Sequence, residues 1–439
     1  MLLRTAAILL VLTGLAASGL ALAQSPPPAG DDGIARLLRE SQSPKPPSVP
    51  GPKKPMPIVM DVRIGDYPDR TTFVFETSDP VNPRVFTIGS PNRVVFDLPE
   101  VQFAVKTPPR PGGGSAITSY RLGTYRPGNS RIVIVLNNPV RAADALVLPP
   151  QGGKGYRYVI DLFATTQAKF DANAGWPADL KAREAAAQMA ALPRLPAPQA
   201  PSTSRRKIIV LDAGHGGIDS GTPGVNGLLE KDLVLATALK LKAALQARNY
   251  TVYLTRETDI FIPLRQRVDI SRGYKADLFI SLHADSNPDS STHGFSVYTL
   301  SDQGSDKEAA ALAKKENQSD VIAGVDLAGQ DSAVAPILTR LAQRDTMNKS
   351  ARFAEAVVSI LQTATDILPR QPHRSAGFAV LKATDVPAVL IELGYLSNPS
   401  DARQMSTNDW RIGVANAIAS AVDRHFAPVS TPVVRNGSE

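Results

Sequence analysis

Three polar side chains in the second half of the chain each follow directly on a buried apolar run. His215 ends "IIVLDAGH", His283 ends "ADLFISLH" and Glu392 ends "PAVLIE". Each apolar run has the length of a buried β-strand. In an open parallel sheet, the carboxyl ends of neighbouring strands lie at one edge, and ligands bind outside that edge. We therefore expect two imidazoles and a carboxylate to converge at one place.

Glu230 in "NGLLEKDL" opens a helical segment shortly after His215 and can return to the same edge. Two histidines and a glutamate form a three-ligand zinc site with an open position, which is the catalytic arrangement of zinc. Bound zinc lowers the pKa of its water to about 7 and polarises a carbonyl oxygen. Glu392 is not needed as a ligand, so we assign it the role of general base. Glycines on both sides of His215 let the backbone turn sharply and leave room for a bound group.

The composition narrows the choice of metal ligands. The 439 residues contain no cysteine and five histidines, so a metal must be held by His, Asp or Glu. The other histidines are expected in loops or at the surface: His293, His373 and His425. Three acids that flank the candidate ligands are expected to orient the imidazoles rather than bind the metal: Asp212, Asp277 and Asp285.

The first residues predict export from the cytoplasm. One basic residue, a short apolar run and Ala21-Leu22-Ala23 form a secretory signal peptide over residues 1–23. A transmembrane anchor is the alternative, but small residues interrupt the run, so we expect no stable membrane anchor after cleavage. The net charge of +7 is spread along the chain without a basic block, which argues against nucleic acid as a partner.

Proline-rich segments divide the chain into domains. Residues 24–57 are Pro-rich, and residues 166–206 combine an Ala-rich helical piece with a Pro-rich stretch, so both are predicted to be linkers. The tail over residues 428–439 is predicted to be disordered. Two folded domains are therefore expected, over residues 58–165 and 207–427.

Residues 58–165 contain short β-branched and aromatic runs bounded by turn residues, the pattern of an all-β domain. Thr71–Val81 resembles Ser130–Val140, and Asn92–Glu100 resembles Tyr156–Ala164. This duplication predicts two similar sheets packed face to face in a β-sandwich. The segment has no histidine and no convergent acids, so we interpret it as a structural or binding module.

Residues 207–427 alternate strands with helices, which predicts a mostly parallel sheet flanked by helices. Nearly eighty residues separate two predicted strands, Phe295–Leu300 and Phe378–Leu381, and this exceeds a usual crossover. The insertion contains predicted helices at about residues 302–345: one in "SDKEAAALAKKENQSDVIAG" and one in "AVAPILTRLAQ". A further long helix is predicted from about Thr346 to Thr365.

Three sequence blocks resemble the signature of the zinc-dependent N-acetylmuramoyl-L-alanine amidases: "LDAGHGGIDSGTPGVNGLLEKD", "ADLFISLHADS" and "VPAVLIELGYLSN". The resemblance spans about residues 207–426. It implies that His215, Glu230 and His283 hold zinc and that Glu392 is catalytic. It further implies a periplasmic enzyme that hydrolyses the amide between N-acetylmuramic acid and L-alanine in peptidoglycan during daughter-cell separation. Residues 58–165 resemble, less specifically, the AMIN-like targeting domain that binds the wall at division sites.

Division amidases of this kind carry an inserted inhibitory helix whose glutamate fills the open position on zinc. The resemblance places this blocking residue at Glu316, with Glu308 as the alternative. It implies that the resting enzyme is inactive until a periplasmic activator protein displaces the helix. A carboxylate at the open position would exclude the water that attacks the substrate.

Two other functions compete with this prediction. The same metal ligands could serve a carboxypeptidase or endopeptidase that cuts between residues of the stem peptide. The chain could also be a non-enzymatic wall-binding protein, although all four chemical positions are present. Intact stem peptides released from cell walls would indicate the amidase, whereas shortened stems would indicate the peptidase.

Overall fold

A computed structural model describes residues 55–106, 108–191, 205–327 and 337–427. The predicted signal peptide, nearly all of the first linker and the tail lie outside the described residues. Residues Met56–Glu439 belong to one compact unit, which contains both folded domains. No helix in the described ranges is both long and apolar enough to cross a membrane.

The first domain is a β-sandwich, as predicted. One sheet has the strand order β5-β1-β2-β10-β8 with β9 on β10, and the other has the order β3-β4-β7-β6. Phe73 and Phe75 of the first sheet contact Phe96 of the second, each with ring centroids 5.9 Å apart, so the sheets share one core. The strands are β1 Ile58–Asp66, β2 Arg70–Thr77, β3 Arg84–Ile88, β4 Arg93–Pro99, β5 Gln102–Phe103, β6 Ile117–Arg126, β7 Asn129–Leu136, β8 Val140–Ala142, β9 Leu146–Leu148 and β10 Tyr156–Ala164.

Two helices after β10 pack against the sandwich: α1 Gln167–Asn173 and α2 Ala178–Ala191. Thr166 caps α1, where its hydroxyl accepts a hydrogen bond from the backbone N–H of Lys169. Phe170 of α1 is buried in the sandwich core, and Leu180 of α2 is buried in a second apolar cluster. The segment assigned to a linker therefore begins as part of the folded domain, because each helix buries an apolar side chain there.

The second domain contains a mostly parallel six-stranded sheet, as predicted. Its strand order is β12-β11-β13-β16-β14-β15. Strands β12, β11, β13 and β16 are parallel, whereas β14 pairs antiparallel with β16 and parallel with β15. The strands are β11 Ile208–Ala213, β12 Thr251–Leu254, β13 Leu278–His283, β14 Ser296–Leu300, β15 His373–Ala376 and β16 Ala388–Glu392.

Helices cover both faces of this sheet because successive strand residues point to opposite sides. Ile209 and Leu211 of β11 pack into one apolar cluster, and Val210 packs into the other. The first face is covered by α3, α7 and α9, and the second by α4 and α5. The helices are α3 Glu230–Gln246, α4 Leu264–Gly273, α5 Lys307–Glu316, α6 Ser319–Ile322, α7 Ile337–Leu361, α8 Pro399–Ser406 and α9 Asn408–Phe426.

The predicted strand Phe378–Leu381 is wrong. The strand in this region is β15, which ends at Ala376, and a 3-10 helix follows over Ala379–Leu381. Phe378 and Leu381 are buried nonetheless. A short buried apolar run looks the same in sequence whether it forms a strand or a tight helical turn, so the pattern alone could not separate the two.

The insertion differs from the predicted helices in two places. The first predicted helix is broken into α5 and α6 at Asn317, whose side chain donates to Gly377 O at 2.9 Å and accepts from Ala379 N at 2.8 Å. The second and third predicted helices join in the single helix α7. Residues 328–336 lie outside the described part of the chain.

Candidate metal centre and active site

Close packing around His215 requires glycine at two nearby positions. A side chain at Gly214 would place its Cβ 2.5 Å from the ring of His283. At Gly221, which has a φ of +64°, the Cβ would lie 2.7 Å from both Glu230 Oε2 and the His215 ring. His215 itself has a φ of 56°, a left-handed conformation that costs energy in a residue other than glycine. The backbone therefore turns at the end of β11 so that the imidazole faces the other polar groups.

The structure brings His215, Glu230, His283 and Glu392 to one edge of the sheet. Glu230 Oε1 lies 3.0 Å from His215 Nε2 and 3.1 Å from His283 Nδ1. His283 and Glu392 end adjacent parallel strands and are direct partners in register. These four residues are buried, with at most 7% of each exposed. The convergence expected from the strand ends is therefore present.

Glu230 is held by the backbone at the first turn of α3. Its Oε2 accepts a hydrogen bond from Thr222 N and its Oε1 accepts one from Ala284 N, both at 2.9 Å. Burial alone would raise the pKa of Glu230, but the two imidazoles hold that pKa well below its usual value. The N-terminal end of a helix also favours a negative charge. Glu230 is thus an oriented carboxylate that faces both histidines.

Asp219 orients His215, a role that the sequence analysis did not assign to it. Asp219 Oδ2 lies 2.8 Å from His215 Nδ1, which leaves Nε2 to face the cluster. Burial opposes the charge on both groups, yet their pairing lowers the pKa of Asp219 to about 2 and raises that of His215. The signal in the sequence was an acid four residues beyond the histidine, but only the fold of the glycine-rich loop brings the two together.

None of the three acids predicted to orient the imidazoles hydrogen-bonds to one within the described residues. Asp212 accepts hydrogen bonds from Thr255, Ser281 and Arg267 beneath the site. The other two face different partners, because Asp277 binds Ile208 N at the opposite end of β13 and Asp285 accepts from the Thr222 hydroxyl. This part of the prediction is wrong, since adjacency in sequence does not decide which face of a strand a carboxylate occupies.

The histidines outside the cluster occupy different surroundings. His373 begins β15 and contacts the Thr299 hydroxyl, and His425 packs against the rings of Phe353 and Phe426. His293 is partly exposed before β14 and lies near Asp401.

Glu392 is a buried carboxylate with one free oxygen. Its Oε2 accepts a hydrogen bond from Asp285 N at 2.9 Å, and its Oε1 has no hydrogen-bond partner among the described residues. Burial raises the pKa of Glu392 well above its usual value, and the nearby carboxylates Asp285, Glu230 and Glu316 raise it further, while His283 opposes the shift. A raised pKa makes this carboxylate a better proton acceptor than an ordinary glutamate, which suits a general base.

Glu316, the last residue of α5, also reaches the two imidazoles. Its Oε2 lies 3.3 Å from His215 Nε2 and 3.1 Å from His283 Nδ1, and the residue is 5% exposed. The ligand atoms of His215, His283 and Glu316 all lie within 4.8 Å of one another. Glu308, by contrast, pairs with Arg374 at 2.9 Å and is largely exposed. Of the two glutamates considered for the insertion, Glu316 alone meets the histidines.

These residues fit a bound divalent metal ion. The buried His215 Nε2 lies 3.0 Å from Glu230 Oε1 but forms no hydrogen bond in the part of the chain that the structure describes, and neither does the buried Glu316 Oε1. Unpaired buried polar atoms are costly, whereas nitrogen and carboxylate oxygen donors are the usual ligands of zinc. Both Glu230 and Glu316 contact the same two imidazole nitrogens, so either carboxylate could join the histidines on a metal ion.

The segment that carries Glu316 is anchored to the catalytic domain on both sides of it. Lys315 pairs with Asp285, next to Glu392, and Ser319 donates a hydrogen bond to Asp219, the partner of His215. Asp320 accepts from Leu264 N at 2.9 Å. The same polar groups that surround the histidines therefore also hold the inserted helices.

The sandwich contacts the end of this segment through two buried arginines. Arg93 Nη1 donates to Val321 O at 3.0 Å, and Arg131 Nη1 donates to Ala323 O at 3.3 Å. Arg93 is 0% exposed and Arg131 is 1% exposed. Gly324 packs between Val95 and Val133 of the sandwich, where an added Cβ would lie 3.1 to 3.2 Å from their methyl groups. The sandwich thus covers residues 321–325.

Two family models match the chain. Residues 209–424 match the N-acetylmuramoyl-L-alanine amidase model Amidase_3, and residues 61–162 match the AMIN domain. The chain is 33% identical over 380 residues to N-acetylmuramoyl-L-alanine amidase AmiC of Escherichia coli, covering 85% of this chain and 90% of that protein. It is 32% identical to AmiC of Neisseria meningitidis, covering 84% of this chain and 89% of that protein.

Among solved structures, amidase AmiC2 of Nostoc punctiforme is 25% identical, with a TM-score of 0.38, covering 51% of this chain and 98% of that one. The two AmiC relatives match both domains of this chain over most of their own length, in the same order. With these matches, the chain belongs to the AMIN-containing N-acetylmuramoyl-L-alanine amidases, enzymes that act on peptidoglycan.

Proposed function

We propose that this amidase is zinc-dependent, with His215, Glu230 and His283 as the protein ligands and Glu392 as the general base. The observation that carries the proposal is the buried convergence of two imidazoles on the Glu230 carboxylate, where His215 Nε2 lies 3.0 Å from Glu230 Oε1 without forming a hydrogen bond to any described residue. Zinc bound there would supply a Lewis acid for the scissile carbonyl and the attacking water.

Side chains of the protein then transfer the proton and orient a metal ligand. Glu392 takes a proton from the attacking water and delivers it to the nitrogen of L-alanine as the C–N bond breaks. The products are the free carboxylate of the muramic acid lactyl group and the free amine of the stem peptide. Asp219 keeps the His215 ring in one orientation, since it engages Nδ1 and leaves Nε2 for the metal.

We further propose that Glu316 blocks the site in the resting enzyme. Its carboxylate contacts both imidazoles in addition to the fixed ligand Glu230, and α5 covers the polar groups that a substrate must reach. A periplasmic activator protein would then have to remove α5 from the site. The similarity to the AmiC amidases and the signal-peptide pattern support a periplasmic location, and we include in the proposal a role at the division site.

Loss of His215 tests the metal assignment. His215→Ala should reduce the zinc content of the purified protein from near-stoichiometric to background, because a single imidazole beside the carboxylates cannot retain the ion at low free zinc. The content is measured by plasma mass spectrometry after dialysis. His425→Ala, whose ring packs outside the cluster, is the matched control and should retain zinc. Unchanged zinc in His215→Ala would contradict the ligand assignment.

The contact between the sandwich and the blocking segment gives a separate prediction. Gly324→Ala should raise activator-independent hydrolysis, because its φ of +69° and the nearby valines both disfavour a side chain. A penalty of about 1–2 kcal/mol would shift the ratio of released to blocked enzyme by about 5- to 30-fold. Release of dye from labelled cell walls measures the rate.

Gly413→Ala is the control for this variant, since a Cβ there meets no atom within 4 Å. Thermal unfolding of both variants separates release of the segment from general loss of stability. If Gly324→Ala is destabilised but no more active, the sandwich does not help to hold the block.

A further inference from the structure

A cavity of about 670 Å³ lies beside the metal cluster, between α5 and the catalytic sheet. Its walls include Asp285 and Tyr395 from the loops next to the cluster, and Lys315 and Glu308 from α5. Arg374 and Tyr298 line its floor and are close neighbours, because they are partners in register on β15 and β14. Asp285 and Tyr395 follow the strands that end in His283 and Glu392, so the cavity borders the loops next to the catalytic groups.

Arg374 is a largely buried cation, and its carboxylate partners among the described residues are both on the inserted segment. Its side chain is 10% exposed, and its Nη1 lies 2.9 Å from Glu308 Oε2 and 3.6 Å from Asp306 Oδ1. Its Nε donates to Gln371 O at 3.2 Å, which fixes the guanidinium from the catalytic domain. Glu308, by contrast, is 68% exposed. If α5 leaves, Arg374 loses these two carboxylate partners but keeps its hydrogen bond to Gln371 O.

One helix therefore places two carboxylates on the catalytic domain. Glu316 meets the histidines and Glu308 meets Arg374, and their separation of eight positions corresponds to about 12 Å along the axis of α5. A stem peptide also presents carboxylates beyond its scissile amide. The α-carboxylate of its second residue, D-glutamate, lies about 7 Å from the scissile nitrogen in an extended chain. The side-chain carboxylate of a third-residue diaminopimelate lies farther along.

We propose that Arg374 is a specificity-determining residue that binds a stem-peptide carboxylate, and that Glu308 occupies its site in the resting enzyme. The inference rests on the proposed function in one respect, since the scissile amide must lie at the His215 and His283 cluster. A fixed guanidinium recognises a carboxylate through charge-assisted hydrogen bonds, and a removable partner leaves the site open to substrate.

The test compares soluble muramoyl peptides with the full-length zinc-loaded chain and its Arg374→Ala and Arg374→Lys variants. One substrate carries free carboxylates, a second carries D-isoglutamine at position two, and a third carries lysine in place of diaminopimelate. Arg374→Ala should raise KM by about tenfold or more on the first substrate with little change in kcat. Arg374→Lys should recover part of the loss, because it keeps the charge.

On one of the two altered substrates, the native enzyme and Arg374→Ala should have the same KM. That substrate lacks the carboxylate that Arg374 binds and so identifies it. Arg272→Ala, which removes an exposed partner of Asp385, is the control and should leave every KM unchanged. An equal loss on all three substrates would overturn the proposal. For each enzyme variant, the comparison takes the ratio of the rates on two substrates. If Glu316 does not block the site, the absolute rates change but these ratios do not.

Discussion

Glu392→Gln is expected to lose nearly all hydrolysis while it keeps its zinc. The amide has the shape of the carboxylate, so Asp285 N retains an acceptor, but it cannot take a proton from water. Removing a general base lowers the rate by about 10²- to 10⁴-fold. We expect the fall in kcat, since Glu392 acts on the reacting atoms after substrate has bound.

Two measurements on this variant separate a catalytic from a structural role. Zinc content and the thermal unfolding temperature should match those of the native protein, because no proposed ligand has changed. Glu355→Gln, an exposed glutamate on α7, is the matched control and should be fully active. Wild-type hydrolysis by Glu392→Gln would remove the base assignment, and loss of zinc together with activity would make Glu392 a ligand instead.

Glu316→Ala is expected to produce the largest gain of activity. With the carboxylate gone, the position that Glu316 occupies beside the two imidazoles becomes available to water and substrate. If the resting enzyme is about 90–99% blocked, release raises turnover on the order of 10- to 100-fold. Hydrolysis of purified cell walls without any activator measures the gain.

Glu308→Gln is the control, because it removes a carboxylate from another position of the same helix. It removes a carboxylate from α5 but leaves Glu316 on the histidines, so the enzyme should stay blocked. Glu316→Ala is a sharper test of the block than excision of residues 304–345. Ala309, Leu312 and Ala313 belong to the apolar core, and α7 begins at Ile337. Excision would expose that core and shorten α7.

Glu316→Ala also decides between two sets of metal ligands. His215, His283 and Glu316 form one compact set, whereas Glu230 contacts the same imidazoles and is fixed by two backbone N–H groups. Glu316→Ala should retain zinc, and Glu230→Ala should lose it. An inactive, zinc-free Glu316→Ala would show that Glu316 is a required ligand and not a block.

The sequence by itself determined the parts of this protein that follow from periodicity. Apolar runs that end in His215, His283 and Glu392 place those residues at the carboxyl edge of a parallel sheet, because parallel strands share that edge. The duplicated strand pattern likewise determined a sandwich before the catalytic domain. These features depend on the local pattern of apolar and polar residues and on general rules of sheet topology. They can therefore be predicted without knowing which residues are in contact.

Only the tertiary structure decided which side chains meet across the fold. Asp219 rather than Asp212 orients His215, because a loop with several left-handed residues turns it back onto the ring. Glu316 and not Glu308 reaches the histidines, since the end of α5 lies over them. Arg93 and Arg131 meet residues 321–325 more than 190 positions later in the chain. Such contacts depend on where separate elements pack, and no local pattern in the sequence shows which distant elements will meet.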